Sequence, residues 1–265
     1  MTRKLTLFSL VLALFCVATT LHAEPIHVKQ SQGTERGFLL LRSEAGKILG
    51  HGDLIQTAHG SRITTELALH FKDGSLDDET TTYTQNGVFH LLTDHHVQKG
   101  PFFPKPIDYL IEANGQITSR STDKDGKEKV ETQHLNLPPD LSNGMIGPLL
   151  ANVASTTPQF TLGMVAPVGK GRLVKLAISP DTPAKFTEVG FTYPATVFRV
   201  RIQLGGATGV VAPIIGKQPG DIFVWIVEGP APQFVRMLGA LSEGGPIVSI
   251  ELSGATFPHP DAPAH

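Results

Sequence analysis

The stretch RITTELALHF, Arg62 to Phe71, decides the fold. Ile63, Thr65, Leu67, Leu69 and Phe71 alternate with Arg62, Thr64, Glu66, Ala68 and His70. A period of two puts one set on each face of an extended strand, one face mainly apolar and the other mainly polar. Lys72-Asp73-Gly74-Ser75 then turns the chain back into the Thr-rich run Glu79–Thr84. Asn86-Gly87 follows, the strongest short hairpin signal, because both residues accept the positive φ of a type I′ turn. Val88–Val97 returns from it. Asn114-Gly115 joins Ile107–Glu112 to Gln116–Ser121, and Asp123-Lys124-Asp125-Gly126 leads into Lys129–Leu135. Hairpins in succession predict an antiparallel meander.

Further along, Pro138 and Pro139 set up a helix start, and Asp140 and Ser142 favour a first turn. Leu141, Met145, Leu149 and Val153 recur every four residues as one apolar stripe. The spacing predicts one short helix over about 139–153, kinked by Gly144, Gly147 and Pro148. After Thr156-Thr157-Pro158 the strand pattern resumes at Phe160–Ala166, Arg172–Ile178, Val189–Tyr193, Thr196–Leu204, Ile222–Val227 and Pro246–Leu252. Phe234–Leu241 fits a strand or a helical turn. The expected fold class is mainly β: a large curved antiparallel sheet, or open half-barrel, with the helix as plug or lid. One β-rich domain over 24–257 is preferred, with a subdivision near 154–158 left open, and a disordered tail over 258–265.

Composition agrees. The 265 residues include 27 Gly and 20 Pro, well above the ordinary share of about 12%, which excludes helical bundles. A 40% hydrophobic share excludes a disordered chain. The net charge of −2 provides no basic footprint for nucleic acid. Arg3 and Lys4, the apolar run from Leu5 to Ala18, and Leu21-His22-Ala23 read as a signal peptide over residues 1–23. No later segment is apolar enough to span a membrane after cleavage. The one cysteine, Cys16, falls inside the signal. A mature chain without cysteine excludes disulfides, thiolate nucleophiles and thiolate metal sites. Periplasmic or secreted bacterial localisation is therefore the expectation.

Chemistry is sparse. Eight of the eleven histidines fall between His27 and His134. Strand parity allows a weak metal site from His70, His90, Asp94 and His96; the plainer reading is polar residues on a wet sheet face, with no metal. Asp73, Asp77, Asp78 and Glu79 flank a turn, the usual place for solvated charge, although paired carboxylates also serve glycoside hydrolysis or calcium binding. Gly205-Gly206-Ala207-Thr208-Gly209 lacks the lysine and hydroxyl of a phosphate loop. No nucleophile motif is present, and no catalytic residue or cofactor is assigned. Lys99–Pro106, with adjacent Phe102 and Phe103, cannot be a central strand because of its prolines. Phe102, Phe103 and Trp225, the one tryptophan, are the residues singled out to line an apolar ligand site.

Leu69-His70-Phe71-Lys72-Asp73-Gly74-Ser75, the Lys99–Pro106 segment and Pro139-Asp140-Leu141-Ser142-Asn143-Gly144 resemble a family of uncharacterised secreted bacterial β-rich proteins. Gly216-Lys217-Gln218-Pro219 followed by Trp225-Ile226 is similar to a wider group of periplasmic domains, half-barrels akin in outline to lipoprotein carriers. The resemblance implies a curved sheet with a concave apolar side and brings no catalytic residue. The resulting expectation is an envelope protein, not an enzyme by preference, that binds a lipid or other apolar ligand. The alternatives are an envelope assembly partner docking by a free sheet edge, and a histidine-dependent metal hydrolase.

Overall fold

The computed structural model describes residues 25–122, 125–188, 190–203 and 219–254. The expected signal segment, the Gly205–Gly209 run, the Gly216–Gln218 motif and the tail at 258–265 lie outside them. The chain forms β1 (Glu35–Ser43), β2 (Ile48–His59), β3 (Arg62–Phe71), β4 (Leu76–Asn86), β5 (Val88–Lys99), β6 (Ile107–Glu112), β7 (Gln116–Thr122) and β8 (Glu128–His134). A single short helix, α1 (Ile146–Leu150), separates these from β9 (Phe160–Ala166), β10 (Arg172–Glu188), β11 (Phe191–Gln203), β12 (Ile222–Val227), β13 (Gln233–Ala240) and β14 (Ile247–Ser253).

All fourteen strands belong to one antiparallel sheet, in the order β8 through β1, then β14 back to β9. Two meanders are thus joined side by side by β1 and β14, whose Leu39 and Leu41 oppose Leu252 and Ile250. The expected mainly β architecture with one short helix is present, and the sheet does not close into a barrel. The seam between its ends is spanned by side chains. Gln133 donates to the carbonyls of Lys170 and Gly171 at 2.7 and 2.5 Å, Tyr109 donates to the Gly169 carbonyl, and Lys170 lies 3.3 Å from Glu131.

Three features differ from the expectation. The strands β1 and β2 were not legible, because Gly50 and Gly52 interrupt the apolar alternation of β2. Those glycines are required where β3 presses close: a Cβ at Gly52 would lie 2.5 Å from Leu69 and 2.6 Å from the Ala68 carbonyl. The separate runs expected at Arg172–Ile178 and Val189–Tyr193 are parts of two long strands, β10 and β11. A register shift between Pro180 and Pro183 accommodates prolines that a regular ladder rejects.

The helix is only five residues long. Ser142, expected in its first turn, instead donates through both its amide (2.9 Å) and its hydroxyl (2.8 Å) to the Gly163 carbonyl. Asn143 brackets Val165, accepting from its amide at 2.8 Å and donating to its carbonyl at 2.9 Å. Residues 140–143 therefore cover the free edge of β9, and Gly144 reverses the chain at φ +62° before α1 begins.

Leu141, Met145 and Leu149 of the expected stripe are buried, Val153 is only partly buried against the same cluster, and Leu150, outside the stripe, is buried with them; together they form a plug against the inner face of the sheet. One apolar cluster surrounds them, with Ile63, Tyr83, Leu91, Ile117, Ile178, Phe198 and Val224 from both meanders. A second cluster joins Leu39, Leu41, Leu69, Phe71, Phe103, Val235, Val248 and Ile250.

Candidate functional site: a polar belt between two apolar clusters

The β4–β5 ladder contains one extra residue. Thr82 opposes Thr93, but Tyr83 opposes Leu91, so Leu92 is unmatched and the alternation of β5 changes parity there. Phe89 and Leu91 face the plug before this bulge, and Asp94, His96 and Gln98 face inward after it. Across from them on β4 stand Thr81, Glu79 and Asp77. Thr65, Leu67 and Leu69 continue the same rows on β3. Gln56 and Glu35 carry the first row to β2 and β1. A belt of polar side chains thus separates the two apolar clusters.

Within it, the Thr81 hydroxyl donates to Asp94 Oδ1 at 2.7 Å. His96 Nε2 lies 2.6 Å from Asp77 Oδ1 and Nδ1 lies 3.8 Å from Glu79 Oε1. Gln98 donates to Asp77 Oδ2 at 3.0 Å and to the Leu241 carbonyl at 2.9 Å. Farther along, Tyr83 and Thr65 both donate to Gln56 Oε1, at 3.2 and 3.3 Å. Gln233 donates to Glu35 Oε2 at 3.2 Å. Asp94 is 1% exposed, whereas the side chains of His96 and Glu79 keep 25% and 21% of their surface. Those two therefore keep some contact with solvent.

Enclosure shifts the protons. Burial, and then the charges of Asp94 and Asp77, push Glu79 up to about 8 against the opposing pull of His96. Burial alone would lower His96. Glu79, the hydrogen bond to Asp77, and the charges of Asp77 and Asp94 outweigh it and raise the imidazole to about 9. Burial also raises Asp94, despite the Thr81 hydrogen bond and the nearby His96 and His95, and raises Glu35. Near neutral pH the cluster therefore holds more protons than the same groups would in water.

The four residues His70, His90, Asp94 and His96 do not converge. His70 and His90 are exposed on the opposite face from Asp94 and His96, because the Leu92 bulge breaks the parity that would align His90 with them. The two nitrogens of His96 point at different carboxylates. Among the described residues no group of three or more His, Cys, Asp or Glu side chains is placed to hold a metal ion. Asp77 and Glu79, expected as solvated turn charges, face inward; Asp77 is 6% exposed.

Phe103 is buried, edge-on to Phe71 at 5.4 Å, with Phe102 4.4 Å from Phe71. The Phe102 amide donates to Ser75 Oγ at 2.8 Å, so this loop is anchored onto the second apolar cluster. Trp225 packs against the same cluster with the Arg236 guanidinium 4.9 Å over its ring. Two small cavities, of about 190 and 220 Å³, are lined by other residues: one by Leu91, Leu137 and Leu141, the other by Ala151, Phe198 and Ile226.

Fold and site together define a plugged, open antiparallel sheet with a polar belt inside it. No protein-family model and no curated protein matches the chain. Among solved structures it is similar to a beta-barrel-like protein of domain of unknown function DUF1849 from Brucella abortus. The identity is 9% and the TM-score 0.45, over 83% of this chain and 95% of that one.

Proposed function

We propose that the protein is an exported bacterial binding protein, periplasmic or secreted, that takes up an apolar or amphipathic ligand by displacing its own plug. One observation carries this reading. The space between the two meanders is filled by a short segment of the chain itself, with Met145 and Leu150 fully buried. A five-residue helix containing Gly147 and Pro148 has no stability of its own, since nucleation costs more than one turn returns. The plug stays because its apolar side chains are buried, at about 25 cal/mol per Å². A ligand burying more surface than the plug competes with it, the difference offsetting the advantage of the plug's covalent tether. The cavities of about 190 and 220 Å³ fall below the roughly 300–1,000 Å³ of ordinary ligand sites, so plug movement must make the room. Phe102, Phe103 and Trp225 belong to the second apolar cluster, across the polar belt from the plug.

Native mass spectrometry of protein purified gently from its own envelope tests the reading. A reproducible lipid-sized adduct is expected, with a larger bound fraction in Met145→Ala, which thins the plug. A bare mass for both proteins, even after incubation with phospholipid vesicles, overturns it and favours an envelope protein as the partner.

A further inference from the structure

We propose that the carboxylate–histidine cluster of β4 and β5 is a proton-operated latch: it seats the plug when protonated and releases it when deprotonated. The purpose of the latch rests on the plug-displacement reading; its geometry does not. The Gly144 turn lies directly on Thr81 and Asp94. A Cβ there would collide with the Thr81 hydroxyl and come within 2.8 Å of Asp94 Oδ1. Backbone and carboxylate are thus packed together with no room for an intervening water.

The plug brings no charge to this contact. Residues 141–153 contain no ionisable side chain, and α1 has no acidic residue in its first turn and no basic residue in its last. The titratable groups facing the cluster are Asp77 and Glu79 from β4 and Asp94 and His96 from β5. Tyr109 of β6 stands opposite His96. On β3 the facing residues Thr65, Leu67 and Leu69 are uncharged, and the β13–β14 connection offers the Leu241 carbonyl to Gln98. His95, which influences Asp94, is on the other face of β5 and is held by Asp108 at 2.9 Å. The one cation facing these carboxylates, among the described residues, is therefore His96.

Losing the Glu79 proton makes the cluster one charge more negative beneath an uncharged plug, and burial is the leading cause of the Glu79 shift. Glu79 rises from an ordinary 4.5 to about 8 when enclosed, so between those values the released state gives up a proton that the seated state holds. Seating weakens as pH climbs through that window. His96 is raised to about 9 by Glu79, Asp77 and Asp94 against the lowering effect of burial; these carboxylates stay beside it when the plug leaves, so His96 keeps its charge in both states and the pH dependence comes from the carboxyl groups.

Amide hydrogen exchange of the intact protein, without ligand and corrected for intrinsic rates, tests the latch. The amides of Leu149 and Ala151, bonded to Met145 and Gly147 carbonyls, report plug opening, and those of β11 serve as reference. Between pH 6 and pH 9 the opening of the plug relative to β11 is expected to rise more than tenfold, the effect of one pKa unit of differential proton binding. Glu79→Gln is expected to cut that rise to less than threefold, and Asp94→Asn provides the same test should Glu79→Gln not fold. A flat wild-type profile, or an equal rise in the variant that folds, overturns the latch. The ligand reading stands or falls separately. A pH-dependent plug in a protein that yields no lipid adduct keeps the latch and removes the ligand, and the converse result does the reverse.

Discussion

The two meanders use charge in opposite ways. In the β10–β14 half, ionic residues stand on the face away from the plug. Arg199 lies 2.8 Å from Asp181, Arg201 3.0 Å from Asp221, and Arg236 3.2 Å from Glu251. The plug-facing residues there, such as Ile178, Phe198, Val224 and Ile226, are apolar and buried. In the β3–β5 half, Asp77, Glu79, Asp94 and His96 face inward. One unmatched residue, Leu92, produces the difference on β5, and the consequence is electrostatic. Exposed pairs contribute little because water screens them, whereas burial shifts the protonation of the enclosed groups. Stability on one side of the sheet is a matter of packing, and on the other a matter of proton count.

Truncating each inner face should sharpen this contrast. Ile178→Ala, at a fully buried site, is expected to lower unfolding stability by about 2–5 kcal/mol through lost contacts and a residual cavity. The loss should be independent of pH. Thr81→Val is nearly the same shape but removes the hydroxyl bound to Asp94 Oδ1, at an expected cost of about 1–3 kcal/mol for the unpartnered acceptor. That cost should grow with pH, because the lost hydrogen bond is one of the influences that hold Asp94 down. Urea denaturation at pH 6 and pH 8.5 reads both. Parallel behaviour of the two variants across pH would break the contrast.

The same contrast explains what could be read from residues alone. Ile107–Glu112, Phe160–Ala166 and Ile222–Val227 have the bounds expected of them, because turn residues or prolines frame each run. The outward direction of Arg199 and Arg201 followed from the same alternation. The inward direction of Asp94 and His96 did not, since nothing local marks Leu92 as a bulge; it shows only in the pairing of Tyr83 with Leu91 across the ladder. Asp140 and Ser142 looked like helix-starting residues, and their chemistry is that of a cap. A bare β9 edge had the stronger claim on them, a long-range demand that no window of sequence displays. The aromatic anchor Phe103 was legible as a special position, whereas its contact with Phe71 depends on how the β3–β4 turn and the β5–β6 loop meet.

The smallest effect should come from the outer ladder. Asp221 is bonded to Arg201 through both guanidinium contacts, at 3.0 and 3.1 Å, and that hydrogen bonding holds its carboxyl below the ordinary range. The arrangement looks strong by geometry, but the Arg201 side chain is 49% exposed, and water screens the pair. Asp221→Asn keeps the shape and removes the charge. Its urea midpoint is expected to fall only slightly at low salt. It should match wild type at about 0.5 M salt, where the Debye length is only about 4 Å. A salt-independent loss approaching that of Thr81→Val would mean that the outer face is covered in the working protein. The division between a packed inner face and a solvated outer one would then have to be redrawn around whatever covers β11 and β12.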